Sequence, residues 1–152
     1  MKLELEGAPE IRATPEAVWA RLVDPEFVAR SAPGAEKVEV LGPERFRLHL
    51  GFGVAFLKLG FEMDVRMHDL EPPERASLTA TGGAHGTTAT VHSKVRIETL
   101  GPTRQRLHWR AQGEVDGALA NLGAPLVEAA LRAMSRDFWD DFARRVSEEH
   151  AA

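Results

Sequence analysis

Six histidines are the residues of this chain best suited to bind a metal or to move protons. Strand side chains alternate between two faces, and this alternation places four of them on the polar face of their strands: His49, His68, His92 and His108. The sequence has no HExxH motif, no short His-x-His spacing and no cysteine to complete a zinc site. The pattern therefore predicts solvent-facing histidines and no metal site.

His85 differs from these histidines because it lies among glycines in the connection Gly82–Gly86. His85 is an even number of positions away from Ala89 and Val91, which are predicted to face inward. In a strand its side chain would therefore point to the same inner face. Two interpretations follow, and the sequence leaves both open. His85 orients a polar group of a bound ligand, or it caps the connection between two strands.

The sequence provides no obvious nucleophile. No serine lies in a Gly-x-Ser-x-Gly motif, which would expose its hydroxyl on a sharp turn beside a base. Besides His85, the polar residues at inward positions are Thr87, Ser93 and Gln105. Because acid–base catalysis needs several convergent titratable groups, the sequence predicts a binding protein rather than an enzyme.

Composition narrows the class of protein. The 152 residues are 43% hydrophobic, which argues against disorder and predicts a single domain over residues 1–152. The net charge of −4 argues against a nucleic-acid partner. Neither a signal-peptide pattern nor an apolar run of about 20 residues occurs, so we expect a cytoplasmic protein.

Alternation of apolar and polar residues dominates the chain between residues 45 and 112. Phe61, Met63 and Val65, for example, are separated by single charged residues. Alternation with a period of two is typical of strands in an antiparallel sheet with one covered and one solvated face. The connections are short, so we expect consecutive strands to pair.

Helices are predicted before and after these strands. Thr14-Pro15-Glu16 and Asp24-Pro25-Glu26 are good helix starts and predict two short helices after the first strand. A long closing helix is predicted from an apolar stripe with spacings of three and four: Leu119, Leu122, Leu126, Ala130, Met134, Phe138 and Phe142. Gly123 and Pro125 interrupt this stripe and predict a kink or a restart.

Several short motifs occur in this framework: Pro15–Trp19, Asp24–Glu26, Ser31–Gly34, Leu70–Pro73, Gly82–Gly86, Gly117–Gly123 and the pair Phe138-Trp139. In this order they resemble the CoxG family, which is named after a carbon monoxide dehydrogenase subunit and belongs to the START-like, or SRPBCC, superfamily. The resemblance covers nearly the whole chain and implies an α+β helix-grip fold. In that fold a curved antiparallel sheet of about seven strands wraps around a long C-terminal helix, with two short helices after the first strand.

The resemblance also implies a function. It predicts non-catalytic carriage of a hydrophobic small molecule, lipid-like or quinone-like, in a cavity between the sheet and the C-terminal helix. The partner would be a molybdenum hydroxylase of the carbon monoxide dehydrogenase type, with transient contact to the inner face of the membrane and no cofactor in this chain. Two alternatives stay open: a polyketide cyclase or dehydratase-like enzyme, and a protein-interaction module without a ligand.

We expect the cavity to fall in the usual range for ligand pockets, ~300–1,000 Å³. The segment Phe52–Leu59 carries one charge and is either a packed connection or a mobile apolar lid over the cavity mouth. We expect the entrance at this segment, at the Pro33-Gly34 turn, or at Gly123–Pro125. The predicted cavity and lid residues are Phe27, Pro33, Phe52, Phe56, Phe61, Met63, Leu78, His85, Val91, Trp109, Leu122, Leu126 and Met134.

Overall fold

In a computed structural model, the described residues form one antiparallel sheet and three α-helices. The structure describes residues 1–54, 57–84 and 86–150, with the backbone alone at 52–54 and 57–59. The strands are β1 Lys2–Gly7, β2 Glu10–Ile11, β3 Ala35–Gly42, β4 Arg45–Val54, β5 Leu57–Glu71, β6 Arg75–Ala84, β7 Thr87–Gly101 and β8 Arg104–Gly117. The helices are α1 Pro15–Leu22, α2 Pro25–Ala29, a 3₁₀ turn Ala120–Leu122, and α3 Ala124–Glu149.

The sheet is a meander closed by the chain's first strand. Its order is β1-β8-β7-β6-β5-β4-β3, and β2 also pairs with β8. The prediction that consecutive strands pair is therefore confirmed for β3 to β8. The predicted interruption near Gly7–Pro9 is confirmed as well, because β1 and β2 pair with different parts of β8.

Both predicted short helices begin at the residues that the sequence indicated. The Thr14 hydroxyl accepts a hydrogen bond from the Ala17 amide at 3.2 Å, and Pro15 follows at the first helical position. The Asp24 carboxylate caps α2 in the same way, at 3.3 Å from the Phe27 amide nitrogen. These side chains satisfy amide groups that the helix itself leaves unpaired, which fixes where each helix starts.

The long helix packs against the sheet with a phase different from the predicted one. Leu126 was predicted to face inward, but its side chain is 42% exposed, whereas its neighbour Val127 is fully buried. The prediction for Leu126 is wrong because a stripe with steps of four residues advances about 40° around the helix at each step. Leu126 therefore lies nearly opposite Phe142, the buried end of the same stripe. At Gly123 φ is +107°, the preceding turn is 3₁₀, and α3 starts afresh at Ala124. The predicted restart is thus confirmed.

The hairpin between β4 and β5 contains the segment predicted as a lid. Its backbone continues the antiparallel ladder as far as the pair Val54 and Leu57, so most of the segment Phe52–Leu59 is strand. The side chain of Phe52 and the whole of Phe56 lie outside the described residues, as does His85. The predictions for these three residues stay predictions.

Candidate functional site

An apolar cavity lies between the inner face of the sheet and α3, with a volume of about 220 Å³. Strands β5 to β8 supply one wall: Phe61, Met63, Val65, Leu78, Ala80, Ala89, Val91, Ser93, Ala111, Gly113 and Val115. Helix α3 supplies the opposite wall: Leu131, Met134, Ser135, Phe138 and Trp139. Leu3, Leu5, Ala32, Pro33, Leu50 and Leu119 complete the lining. The cavity is smaller than the predicted range, because large side chains from both walls occupy much of the space between them.

One end of the cavity is closed by a block of aromatic rings. Trp139 lies on the wall and contacts Phe138 edge-on, with ring centroids 4.8 Å apart. Behind it, Trp109 stacks on Trp139 at 6.5 Å, and Phe142 contacts both Trp139 and Phe27. Edge-on and offset arrangements are the favoured geometries of aromatic pairs, so these contacts stabilise the floor of the cavity.

The cavity wall is more exposed at the opposite end. Leu50, Ala80, Ala89 and Val91 are only partly buried, although they line the cavity. A separate surface depression of about 410 Å³ also touches Leu50 and Phe61, at the end of the sheet where the β4–β5 hairpin lies. Leu50 and Phe61 therefore stand between the cavity and the outside.

The predicted ligand-binding residues fall into three groups. The cavity wall contains Pro33, Phe61, Met63, Leu78, Val91 and Met134. Four others do not line the described cavity. Phe27 and Trp109 belong to the aromatic floor behind it. Leu122, in the 3₁₀ turn, packs at the edge of the core, and Leu126 faces outward. Of the remaining three, the side chain of Phe52 and the whole of Phe56 and His85 lie outside the described part of the structure.

Sequence reasoning missed part of the helix wall. Leu131, Ser135 and Trp139 lie four residues apart and face the cavity together. This spacing places side chains on one helical face, so the signal was present in the sequence. The predicted stripe followed the neighbouring row of α3 with Met134 and Phe138, and both rows line the cavity.

The buried polar residues predicted to face inward are held by the backbone. The Thr87 hydroxyl accepts a hydrogen bond from the Leu119 amide at 3.0 Å. The Gln105 amide donates to the Ala13 and Gly101 carbonyls and accepts from Thr99. Both side chains therefore stabilise connections. Of the described cavity-lining residues, only Ser93 and Ser135 present hydroxyl groups.

The four strand histidines lie on the outer face of the sheet, as predicted. They bond with polar neighbours there: His49 with Glu39, His68 with Asp69 and Thr79, His92 with Thr79, and His108 with Glu98. The bond from His108, at 2.9 Å, lowers the pKa of Glu98. Within the described ranges, no three His, Asp or Glu side chains are placed to hold a metal ion.

The fold and the cavity define the class of protein. A curved antiparallel sheet that grips a long C-terminal helix is the START-like helix-grip fold, and solved structures show the same architecture. A conserved protein from Geobacillus kaustophilus superposes with a TM-score of 0.85 at 20% identity, covering 99% of this chain and 98% of that one. A START superfamily protein from Mycobacterium smegmatis gives 0.73 at 14% identity, covering 96% and 98%.

An enzyme shares the fold as well. An aromatase/cyclase from a Streptomyces species superposes with a TM-score of 0.68 at 20% identity, covering 98% of this chain and 93% of that one. At these identities the likeness shows the fold alone. None of the curated proteins matches the sequence significantly.

The family follows from the sequence itself. The model of the CoxG family, which is named after a carbon monoxide dehydrogenase subunit, matches residues 7–147. Since this is nearly the whole chain, the chain belongs to the CoxG family. In the described part of the chain, none of the helices combines the length and the apolar character needed to cross a bilayer.

Proposed function

We propose that this chain binds a hydrophobic small molecule reversibly, without catalysis, in the cavity between sheet and α3. The observation that carries the proposal is the chemistry of the wall, in which Ser93 and Ser135 are the only polar side chains among the described lining residues. Burial of apolar ligand surface against such a wall supplies the driving force, and a hydroxyl group orients a ligand with one polar end.

The volume of the cavity favours a ligand portion of about one ring. An apolar protein cavity of about 150 Å³ is known to hold benzene. A cavity of about 220 Å³ thus suits a six-membered ring with short substituents. The family resemblance predicts a lipid-like or a quinone-like ligand. The size of the cavity favours the head ring of a quinone over the acyl chains of a lipid. A longer tail would extend out through the mouth.

We expect the ligand to enter at the end of the cavity where the lining residues are only partly buried. Leu50 and Phe61 separate the cavity from the depression beside the β4–β5 hairpin. A small outward movement of this hairpin would join the two spaces. In this proposal Phe52 and Phe56, which belong to the hairpin segment, cover the entrance of the cavity, and Pro33 lies on its opposite side.

Family membership supports an accessory role. The chain would carry a lipophilic electron acceptor for a molybdenum hydroxylase of the carbon monoxide dehydrogenase type, and would collect it by transient contact with the inner face of the membrane. It would need no cofactor and no nucleic acid, in line with the net charge of −4.

A cyclase-like activity on the same fold is less well supported. Such chemistry needs convergent acids and bases around the substrate. The buried Thr87 and Gln105 are committed to backbone hydrogen bonds, which leaves two hydroxyl groups on the described wall. An interaction module without a ligand would be expected to fill this space with side chains.

A ligand series of graded size tests the proposal. Wild-type protein would be titrated with 2,3-dimethoxy-5-methyl-1,4-benzoquinone, with its decyl-tailed analogue and with a diacyl phosphatidylcholine carrying a fluorescent chain, using Trp fluorescence or probe anisotropy. We expect both quinones to bind with one site per chain, the tailed one at least 10-fold more tightly, and the two-chain lipid to bind most weakly. Tight binding of the two-chain lipid alone would contradict the proposed ligand class.

The cavity-filling variant Val91→Phe gives the matched control for this series. Val91 lines the cavity, and a phenyl group there would occupy much of its volume. We expect at least 10-fold weaker quinone binding, whereas Leu126→Phe, at an exposed position of α3, should bind like wild type. Equal binding by Val91→Phe and wild type would place the ligand elsewhere.

A further inference from the structure

The outer face of the sheet carries a second concave surface, on the side away from the apolar cavity. This groove has a volume of about 990 Å³ and crosses five neighbouring strands, from Asp69 and Glu71 on β5 to Glu6 on β1. Strands lie ~4.8 Å apart, so the groove is roughly 19 Å long. Extended peptide advances ~3.3 Å per residue, so about six residues would span it.

Four cations line the middle of the groove: Arg75 on β6, Lys94 and Arg96 on β7, and Arg110 on β8. The strand register sets them directly opposite one another as like-charged pairs. Arg75 faces Arg96, and Lys94 faces Arg110. All four side chains are exposed.

Such pairing costs stability. Like charges directly opposite each other in a sheet repel, and this chain as a whole is acidic, with a net charge of −4. Arg110 reaches Glu6 at 3.6 Å. No ion pair of Arg75, Lys94 or Arg96 within 4.0 Å occurs among the described residues. In the register Glu71 faces Arg75 and Glu6 faces Arg110, whereas Lys94 and Arg96 have no acidic residue directly opposite. Positive charge that the fold neutralises only in part fits an external anion.

The two ends of the groove restrict what can bind there. Asp69 and Glu71 lie at one end and Glu6 at the other, so negative charge is disfavoured at both ends. An extended anionic surface such as nucleic acid or an anionic bilayer would place charge over these acids and over the acidic molecule as a whole. A short segment with acidic residues in its centre and neutral or basic residues at its ends matches the whole groove.

We propose that this outer groove binds an extended acidic segment of a partner protein, about six residues long, through Arg75, Lys94, Arg96 and Arg110. Arginine side chains bind carboxylates with two parallel hydrogen bonds, which favours this chemistry. The groove and the apolar cavity lie on opposite faces of the sheet. The chain can therefore hold a partner and a hydrophobic ligand at the same time, and the proposal does not depend on the identity of that ligand.

Two fluorescein-labelled peptides of equal composition test the proposal on the full chain by fluorescence anisotropy. The first is Lys-Asp-Glu-Asp-Glu-Lys, with a central acidic run, and the second is Asp-Glu-Lys-Lys-Asp-Glu, with acids at the ends. We expect the first peptide to bind at least fivefold more tightly at low salt and to weaken steeply between 20 and 300 mM NaCl, because exposed charges are screened. Equal affinity of the two peptides would overturn the proposal.

Charge-reversal variants assign the site. The double variant Lys94→Glu, Arg96→Glu should bind the first peptide at least 10-fold more weakly. The matched control Arg132→Glu, Arg136→Glu reverses two exposed cations on α3 and should bind it within twofold of wild type. Circular dichroism would verify that both variants are folded, and Lys94→Gln, Arg96→Gln would replace a misfolded double variant with the same expectation.

Competing anions decide between a peptide and other sources of negative charge. Inorganic phosphate at 10 mM should displace the first peptide no more than sodium chloride of equal ionic strength. Vesicles containing 30% phosphatidylserine should not sediment the wild-type protein more than the double variant. Selective displacement by phosphate, or vesicle binding that Lys94 and Arg96 control, would overturn the assignment to an acidic peptide segment.

Discussion

The indole rings of Trp109 and Trp139 stack with their centroids 6.5 Å apart and their planes 26° apart. This contact joins β8 to α3 at the floor of the apolar cavity. Trp139 also contacts Phe138 and Phe142 of α3, so its ring connects the aromatic cluster of the helix to β8. We therefore expect the cavity to open at the other end.

Truncation of Trp139 should be costly for this reason. Trp139→Ala removes a 4% exposed indole and should lower the free energy of unfolding by about 3–5 kcal/mol. Trp139→Phe keeps an aromatic ring and should cost clearly less. Urea denaturation followed by circular dichroism measures both. A loss below about 1 kcal/mol in the alanine variant would mean that the floor is not anchored through this ring.

Arg145 should stabilise the joint between α2 and α3. Its guanidinium donates to the Phe27 carbonyl and the Ser31 hydroxyl, both at 2.8 Å, and lies 4.0 Å over the Phe27 ring. Arg145→Met should cost about 2–4 kcal/mol, since it removes charged hydrogen bonds and a cation–π contact. The neighbouring Arg144 makes exposed ion pairs, so Arg144→Met should cost within about 1 kcal/mol. Equal losses in thermal or urea unfolding would contradict the role assigned to Arg145.

The phase of the long helix makes a third prediction. Leu126→Ala removes the larger side chain, but from an exposed position, and should change the free energy of unfolding by within about 0.5 kcal/mol. Val127→Ala removes less from a fully buried position and should cost about 1–3 kcal/mol. The reverse order in urea unfolding would restore the helical phase predicted from sequence.

Asp64 should make a small contribution to stability that depends on pH. It accepts hydrogen bonds from Arg45 at 2.9 and 2.7 Å, and these bonds hold its pKa below the ordinary value of 3.8. A carboxyl group whose pKa is lower in the folded state stabilises the fold above its unfolded pKa and loses this effect as pH falls through the folded value. The stabilisation should therefore be complete at pH 6, begin to fall near pH 3.8, and be gone once the pH is below the lowered pKa of Asp64 in the folded state.

Two variants measure this contribution. Asp64→Asn should be less stable than wild type at pH 6 by at most about 1 kcal/mol, because the pair is near the surface, and the difference should vanish in strong acid. Arg45→Met should remove the same pH-dependent part. If the difference in the free energy of unfolding between wild type and Asp64→Asn grew as the pH fell, it would contradict this role of Asp64.

The sequence predicted the architecture well because the relevant signals are local. The alternation of Phe61, Met63 and Val65 with charged residues depends only on the strand period, and all three face inward. Thr14 and Asp24 marked helix starts because the capping hydrogen bond spans three residues. The family resemblance supplied the way in which sheet and helix combine, and the structure and its solved neighbours confirmed it.

The site was predicted less completely because it depends on distances between elements. The size of the cavity follows from how closely α3 approaches the sheet, which no periodicity encodes. Leu126 was misplaced because a stripe with uniform steps of four residues turns about 40° at each step, so its first residue in α3 faces away from the side that packs on the sheet. The basic groove depends on register: Arg75 meets Arg96, and Lys94 meets Arg110, only once the strands pair.

The measurement that tests the central claim most directly is methyl NMR of protein labelled with ¹³C at its four methionine methyl groups. Met63 and Met134 line the cavity from opposite walls, whereas Met1 and the buried Met67 do not line it. Addition of 2,3-dimethoxy-5-methyl-1,4-benzoquinone should shift the Met63 and Met134 signals and give nuclear Overhauser effects from both to the ligand, with the Met1 and Met67 signals unchanged. Saturable binding that leaves Met63 and Met134 unperturbed would contradict the assignment of the cavity as the ligand site.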